Sequence, residues 1–86
     1  MHQIWKFVLD PQSDIIMAPE GWQPLSVAVQ RGTPYLWALV DDTKKRVAHK
    51  VVIVGTGHNC DHAVCMKFVG TFLIENDSLV FHVFVD

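Results

Sequence analysis

The sequence lacks most of the features that mark a membrane protein, a nucleic-acid-binding protein or a secreted protein. Its 86 residues include only seven Lys or Arg against nine Asp or Glu, a net charge of −2. That balance argues against nonspecific nucleic-acid binding, which depends on clustered positive charge. No apolar run approaches the ~20 residues of a membrane-spanning helix. We therefore expect neither a membrane segment nor a nucleic-acid partner.

The N-terminus and the two cysteines indicate a compartment. Residues 1–6 lack the basic start and the apolar stretch that are typical of a signal peptide. Small secreted domains usually carry a disulfide framework, and Cys60 and Cys65 alone are too few to build one. We expect two free thiols in a reducing cytoplasm.

The hydrophobic pattern is that of short strands separated by turns. Half of the residues are hydrophobic, which suits one small β-rich domain over residues 1–86 with a thin core. Residues 25–30 alternate between apolar and polar positions, as a half-buried strand does. The predicted strands cover residues 4–9, 15–18, 25–30, 35–40, 51–54, 67–74 and 79–85.

This pattern predicts an all-β fold, a small antiparallel sheet curled into a barrel or sandwich with six or seven short strands. The turns within residues 25–40 and 67–85 predict two hairpins. Residues 41–48 form the polar middle of the chain. Only residues 61–67 are suited to a helical turn.

Several predicted strands are apolar on both faces. Residues 35–40 and 51–54 are apolar throughout, and so are nearly all of residues 79–85. An antiparallel sheet with one face in water alternates instead. Because so short a chain cannot cover both faces of its strands, we predict a homodimer or a higher oligomer. A tightly curled monomeric barrel is the alternative.

Four segments stand out by their order and spacing. They are Leu-Trp-Ala-Leu-Val-Asp at 36–41, Gly-Thr-Gly-His at 55–58, Val-Gly-Thr-Phe at 69–72 and Leu-Val-Phe-His-Val-Phe at 79–84. Together they resemble a family of small proteins encoded by bacteriophages and prophages, a domain of unknown function. The resemblance implies a small β-rich phage protein in the host cytoplasm and supplies no catalytic residues. Residues 59–65 depart from the family's pattern, so a role for the cysteines would be particular to this chain.

The densest reactive chemistry lies between the fifth and sixth predicted strands, in His58, Cys60, His62 and Cys65. Imidazole and thiolate are ligands that Zn²⁺ prefers. Structural zinc sites usually take two ligands from each of two separated elements, whereas these four come from one short segment. We therefore expect a surface loop and no cofactor. Zinc binding, or an enzyme with a cysteine nucleophile and a histidine base, is the alternative.

Three other features are candidates for contacts with a ligand or partner. His58 and His82, if they face each other across strand ends, would form a polar spot in an apolar pocket. Trp22 lies in a turn region, either exposed as a contact residue or buried as a lid over the core. The basic run is either an anion contact or a solvated turn, and it consists of Lys44, Lys45 and Arg46.

The function that these observations favour is a non-enzymatic phage accessory protein that binds itself and a host bacterial protein or small molecule. The phage resemblance implies a setting for it, interference with a bacterial defence system. A metal-binding protein or enzyme centred on residues 58–65 is one alternative. A structural protein of the virion is the other.

Overall fold

The computed structural model describes residues 1–86, and nearly all of them lie in strands or tight turns. The all-β prediction with six or seven strands is confirmed, as are both hairpins, within residues 25–40 and 67–85. A single 3-10 turn, Asp61–Ala63, lies within the segment predicted to hold one. The strands are β1 (His2–Val8), β2 (Ile15–Pro19), β3 (Gln23–Gln30), β4 (Thr33–Asp41), β5 (Arg46–Gly55), β6 (Lys67–Ile74) and β7 (Leu79–Val85).

The strands form two antiparallel sheets that pack on a common core. One sheet has the order β1-β4-β3 and the other the order β2-β5-β7-β6. Neither sheet closes on itself, so the molecule is an open sandwich rather than a closed barrel. Fully buried Leu36 and Val40 of β4 share the core with Val83 and Val85 of β7. Burial of these apolar side chains supplies the main favourable free energy of folding.

The two sheets come very close together where β6 meets β3. A Cβ added to Gly70 would stand 2.9 Å from Cγ2 of Val27. Both strands are irregular beside this contact, since the register shifts between Phe68 and Gly70 in β6 and between Pro24 and Ser26 in β3. Such bulges bend a strand and increase its twist. Glycine at position 70 is what allows the backbones to approach.

Strand β5 is longer than the sequence predicted. The expected strand covered residues 51–54 and left the preceding residues in a polar middle, whereas β5 begins at Arg46. Its first half pairs with β2 and its second half with β7. Exposed Arg46, Ala48 and Lys50 alternate with half-buried neighbours, which is the period of a strand with one wet face. The charges therefore mark the wet face of β5 and not a loop.

The outer side of the four-stranded sheet is covered in part by the chain itself. The segment between β5 and β6 folds back, and Ala63 and Met66 pack on Val52 and Val54. Contrary to the expectation from sequence, no second subunit is needed over residues 51–54. The homo-oligomer stays a prediction. The observation that now favours it is the set of large hydrophobic side chains that remain exposed. These are Met1, Ile4, Val8, Ile15, Met17, Leu25, Val64, Phe68, Leu73 and Leu79.

Candidate functional site

The side of the three-stranded sheet that faces away from the core is apolar. Because side chains alternate along β4, Leu36, Ala38 and Val40 are buried while the residues between them point outward. Ile4 and Val8 of β1 lie on the same side and are 62% and 54% exposed. We use the name outer face for this surface, whose apolar members are Ile4, Val8, Ala28, Tyr35, Trp37 and Leu39.

Lys6 crosses the outer face. Its Nζ lies 4.5 Å from the centroid of the Tyr35 ring and donates a hydrogen bond of 3.2 Å to Oε1 of Gln30. The attraction of an ammonium group to an aromatic face holds the side chain flat along the sheet. The positive charge is therefore drawn over β4 towards β3 and away from β1.

His82 lies on the outer side of the other sheet and bridges two threonines. Its Nε2 is 2.7 Å from Oγ1 of Thr56, and its Nδ1 is 2.9 Å from Oγ1 of Thr71. The ring of His58 instead packs on Gly55, where an added Cβ would stand 3.0 Å from Nδ1 of His58. The hydrogen-bonding capacity of the His82 ring is thus taken up by threonine hydroxyls and not by His58.

The loop between β5 and β6 does not assemble its reactive side chains into a ligand set. Cys60 and Cys65 are exposed free thiols. No three His, Cys, Asp or Glu side chains stand close enough together to hold a metal ion. The alternative set of His58, Cys60, His62 and Cys65 is therefore not brought together.

We expect the Cys60→Ser, Cys65→Ser double variant to unfold with the wild-type free energy. Both thiols are exposed, and substitutions at such positions usually change stability by less than about 0.5 kcal/mol. Urea denaturation followed by circular dichroism checks this. A structural zinc site contributes on the order of 10 kcal/mol, so collapse of the variant would contradict the expectation. Stoichiometric zinc that survives chelation of the wild-type protein would contradict it equally.

Trp22 is a core residue. Its side chain is only 9% exposed. Its ring stacks on His49 at 4.5 Å between centroids and meets Phe7 edge-on at 5.5 Å. His49 is itself fixed, since its Nε2 lies 3.1 Å from the carbonyl oxygen of Ala18. Of the two alternatives for Trp22, the structure therefore favours the buried lid over the exposed contact.

Lys44 and Lys45 lie in the turn between β4 and β5, Arg46 is the first residue of β5, and all three are exposed. The guanidinium carbon of Arg46 is 5.1 Å from the centroid of the Trp5 ring, a cation–π contact. Of the three basic side chains, that of Arg46 therefore covers the ring of Trp5.

Asp41 places a permanent negative charge at the start of this turn. Its Oδ1 accepts hydrogen bonds from the hydroxyl of Thr43 at 2.7 Å and from the amide of Thr43 at 3.0 Å. These bonds lower the pKa of Asp41 from 3.8 to about 2. A carboxyl with a lowered folded pKa stabilises the fold above its unfolded pKa, and this contribution is lost as the pH falls through the folded value.

An apolar cleft of about 280 Å³ opens between the two sheets. One wall is the end of β1, with Phe7 and Val8, and the other is β2, with Ile16 and Met17. Ligand pockets usually range from about 300 to 1,000 Å³ and carry a few converging polar groups. The cleft is therefore a gap at the open side of the sandwich, small for a cofactor.

Comparison with known proteins identifies the family. A domain of unknown function, DUF7352, matches residues 1–86. The chain belongs to the DUF7352 family. No curated protein and no solved structure matches it. A membrane-crossing helix is also missing from this DUF7352 domain, whose one helical element is a three-residue turn.

In this DUF7352 domain the outer face presents two partly exposed aromatic side chains on its central strand. Tyr35 and Trp37 lie side by side there, with ring centroids 6.1 Å apart. The sequence alone does not distinguish the two sides of this strand, because it is apolar at every position from Tyr35 to Val40. Only the pairing of β4 with β1 and β3 shows which alternate residues point outward.

Proposed function

We propose that this chain is a non-enzymatic binding protein that acts as a homo-oligomer on a host bacterial protein or small molecule. The support for a phage or prophage origin is the resemblance of the four segments at 36–41, 55–58, 69–72 and 79–84 to phage proteins. Such an origin implies that the protein acts in the host cytoplasm. Interference with a bacterial defence system is the setting that such an origin favours.

The outer face is the observation that supports a binding role. Tryptophan and tyrosine are enriched among the residues that carry most of the free energy at protein interfaces. Trp37 and Tyr35 are held half-buried in a central strand, so that little side-chain freedom remains to be lost on binding. The exposed side chains of Ile4 and Val8 extend the apolar surface beside them.

The placement of the reactive side chains favours binding over catalysis. The ring of His82 is held by two threonine hydroxyls. Cys60 and Cys65 lie on an exposed loop. A cysteine nucleophile needs a base within hydrogen-bond reach, and neither thiol has a histidine hydrogen-bonded to it.

Capture from bacterial lysate tests the proposal. Tagged wild-type protein, a Trp37→Ser variant and a Leu73→Ser variant are compared by mass spectrometry of bound proteins and small molecules. Leu73 is 43% exposed on the other sheet and serves as the matched control. We expect wild-type and Leu73→Ser protein to retain the same species. Trp37→Ser should retain about tenfold less, the loss that removal of a central aromatic contact typically causes.

Two results would overturn the proposal. Equal capture by folded Trp37→Ser protein would remove the outer face as the binding surface. Turnover of a captured small molecule by the wild type, lost in Cys60→Ser or Cys65→Ser, would establish an enzyme in place of a binding protein. Circular dichroism of each variant shows that the comparison is made between folded proteins.

A further inference from the structure

Strand β1 is an unprotected sheet edge. Proteins usually block their edge strands with proline, bulges, short length or charge. The edge strands β2, β3 and β6 each carry such a device: Pro19 in β2, Pro24 and a register shift in β3, and a register shift before Gly70 in β6. The seven residues of β1 contain no proline, no glycine and no bulge. Its one lysine, Lys6, is held over the sheet by Tyr35 and Gln30.

The free edge of β1 presents the amides and carbonyls of its even-numbered residues. At one end Leu9 donates to the carbonyl of Pro34, and at the other Asp42 donates to the carbonyl of Met1. Because hydrogen-bonding direction alternates along an antiparallel strand, the odd-numbered residues of β1 bond to β4 throughout. The N–H and C=O groups of the even-numbered residues point away from the sheet.

We infer that a second copy of the chain pairs with this edge, β1 against β1 in antiparallel orientation, about a two-fold axis at Trp5. The interface rests on the oligomeric part of the proposed function and specifies it. Two sheets of the order β1-β4-β3 then join into one sheet of six strands. Trp5 of one copy lies opposite Trp5 of the other as a pair without mutual hydrogen bonds.

The sequence of β1 selects this register over its neighbours. A two-fold pairing that keeps the outer faces on the same side must centre on a single residue, which is Ile4, Trp5 or Lys6. Centring on Lys6 sets two lysines opposite each other, and centring on Ile4 leaves Phe7 and Val8 beyond the paired residues. Like charges directly opposite each other destabilise a sheet. Both of these registers also leave one end of β1 unpaired.

Centring on Trp5 avoids these costs. It sets Lys6 opposite Ile4 and His2 opposite Val8, so that no two basic residues are paired across the axis. The strand lies symmetrically about Trp5 and overlaps its copy along its full length. Every outward N–H and C=O group of His2, Ile4, Lys6 and Val8 then finds a partner.

The surroundings of the edge favour the same occupant. Ile15 and Met17 of β2 are 49% and 52% exposed on the side where β1 ends, next to the apolar cleft. A seven-residue strand is about 24 Å long and two packed sheets are about 20 Å thick, so this side offers on the order of 500 Å² per copy. A standard interface buries about 800 Å² per partner. An interface of this size lies at the small end of the range for specific complexes, so we expect a dimer that dissociates reversibly on dilution.

Proline substitution tests the pairing because it removes an outward amide without touching the bonds to β4. Ile4→Pro and Lys6→Pro are compared with Ile4→Ala, which removes the side chain but keeps the amide. In light scattering and sedimentation, the average mass of wild-type and Ile4→Ala protein should rise from the 9.7 kDa chain mass towards twice that value as the concentration increases across the micromolar range. Each proline variant should raise the dimer dissociation constant by about tenfold or more.

Hydrogen exchange of the wild-type protein supplies a readout that needs no variant. Dimerisation should protect the amides of Ile4, Lys6 and Val8 as the protein concentration rises. The amides of Trp5 and Phe7, which bond to β4, should be protected at every concentration and serve as the internal control. This measurement decides the matter even if a proline variant does not fold.

The outcomes separate the interface from the proposed function. A wild-type mass of 9.7 kDa at all micromolar concentrations overturns both the interface and the oligomeric part of the proposed function. A wild-type dimer whose even-numbered β1 amides exchange freely, or whose dissociation constant the proline substitutions leave unchanged, overturns the interface alone. Loss of the dimer in the proline variants but not in Ile4→Ala supports it.

Discussion

Replacement of Trp22 by alanine is expected to lower the free energy of unfolding by about 3–5 kcal/mol, as truncation of a buried tryptophan usually does. The ring is 9% exposed and lies between His49 and Phe7, so its removal leaves a cavity between the sheets. Domains have about 0.05–0.15 kcal/mol of stability per residue, which gives this chain about 4–13 kcal/mol in all. The substitution thus removes a large part of the total.

Urea denaturation of Trp22→Ala and Trp22→Phe measures this effect. The phenylalanine variant keeps an aromatic ring against His49 and should lose less than the alanine variant. If Trp22 acted only as a contact for a partner, Trp22→Ala would unfold at the wild-type urea concentration. That result would return Trp22 to the candidate binding residues.

Replacement of Gly70 by valine is expected to lower the free energy of unfolding by about 2 kcal/mol, within the usual range for overpacking. The new Cβ would stand 2.9 Å from Cγ2 of Val27 and 3.6 Å from its backbone nitrogen. A β-branched side chain such as Val27 has little rotamer freedom with which to move aside. The contact must therefore be relieved by moving β3 away from β6.

A double-mutant cycle isolates this contact. Val27→Ala removes the methyl group that Gly70→Ala would meet. Gly70→Ala should therefore cost clearly less in the Val27→Ala background than in the wild type, with an interaction energy of about 1 kcal/mol. Strictly additive free energies, measured by thermal or urea unfolding of the four proteins, would show that Val27 is not what requires a glycine here.

The strands that the sequence predicted well are those whose partners are their neighbours in the chain. β3 with β4, and β6 with β7, are joined by short turns with strong signals, such as Gly32 at a positive φ of 79°. In these hairpins the alternation of apolar and polar residues and the turn residues both lie within one short segment, so both can be read from the sequence. Leu25 is the exception, because the bulge beside Pro24 turns its side chain outward to 44% exposure.

What the sequence left open depends on pairing between distant strands. Nothing in the sequence near Arg46 indicates that the first half of β5 pairs with β2. The charged residues of this half were therefore predicted to lie outside a strand. The exposure of Trp37 depends in the same way on which side of β4 faces the core. Trp22 had no strand pattern around it, and its burial depends on Phe7 and His49.

The candidate site follows the same division. The residue types of the loop between β5 and β6 were visible, but whether their side chains converge is a property of the folded loop. The outer face was visible only as a surplus of apolar residues, which the sequence assigned to the strands at 35–40, 51–54 and 79–85. In the structure Ala63 and Met66 cover part of that surplus at Val52 and Val54, whereas Tyr35 and Trp37 of β4 stay partly exposed.

The pairing of β1 with β4 has a consequence for the way the chain is made. During synthesis β1 emerges before β4. His2 of β1 pairs with Asp41 of β4, which emerges dozens of residues later. The hairpin of β3 and β4 can close at once because its loop is short, whereas docking of β1 must close a much longer loop. Until then both edges of β1 are open. In that interval the edge of β4 that receives β1 is unpaired, and strand exchange between identical chains requires such an edge.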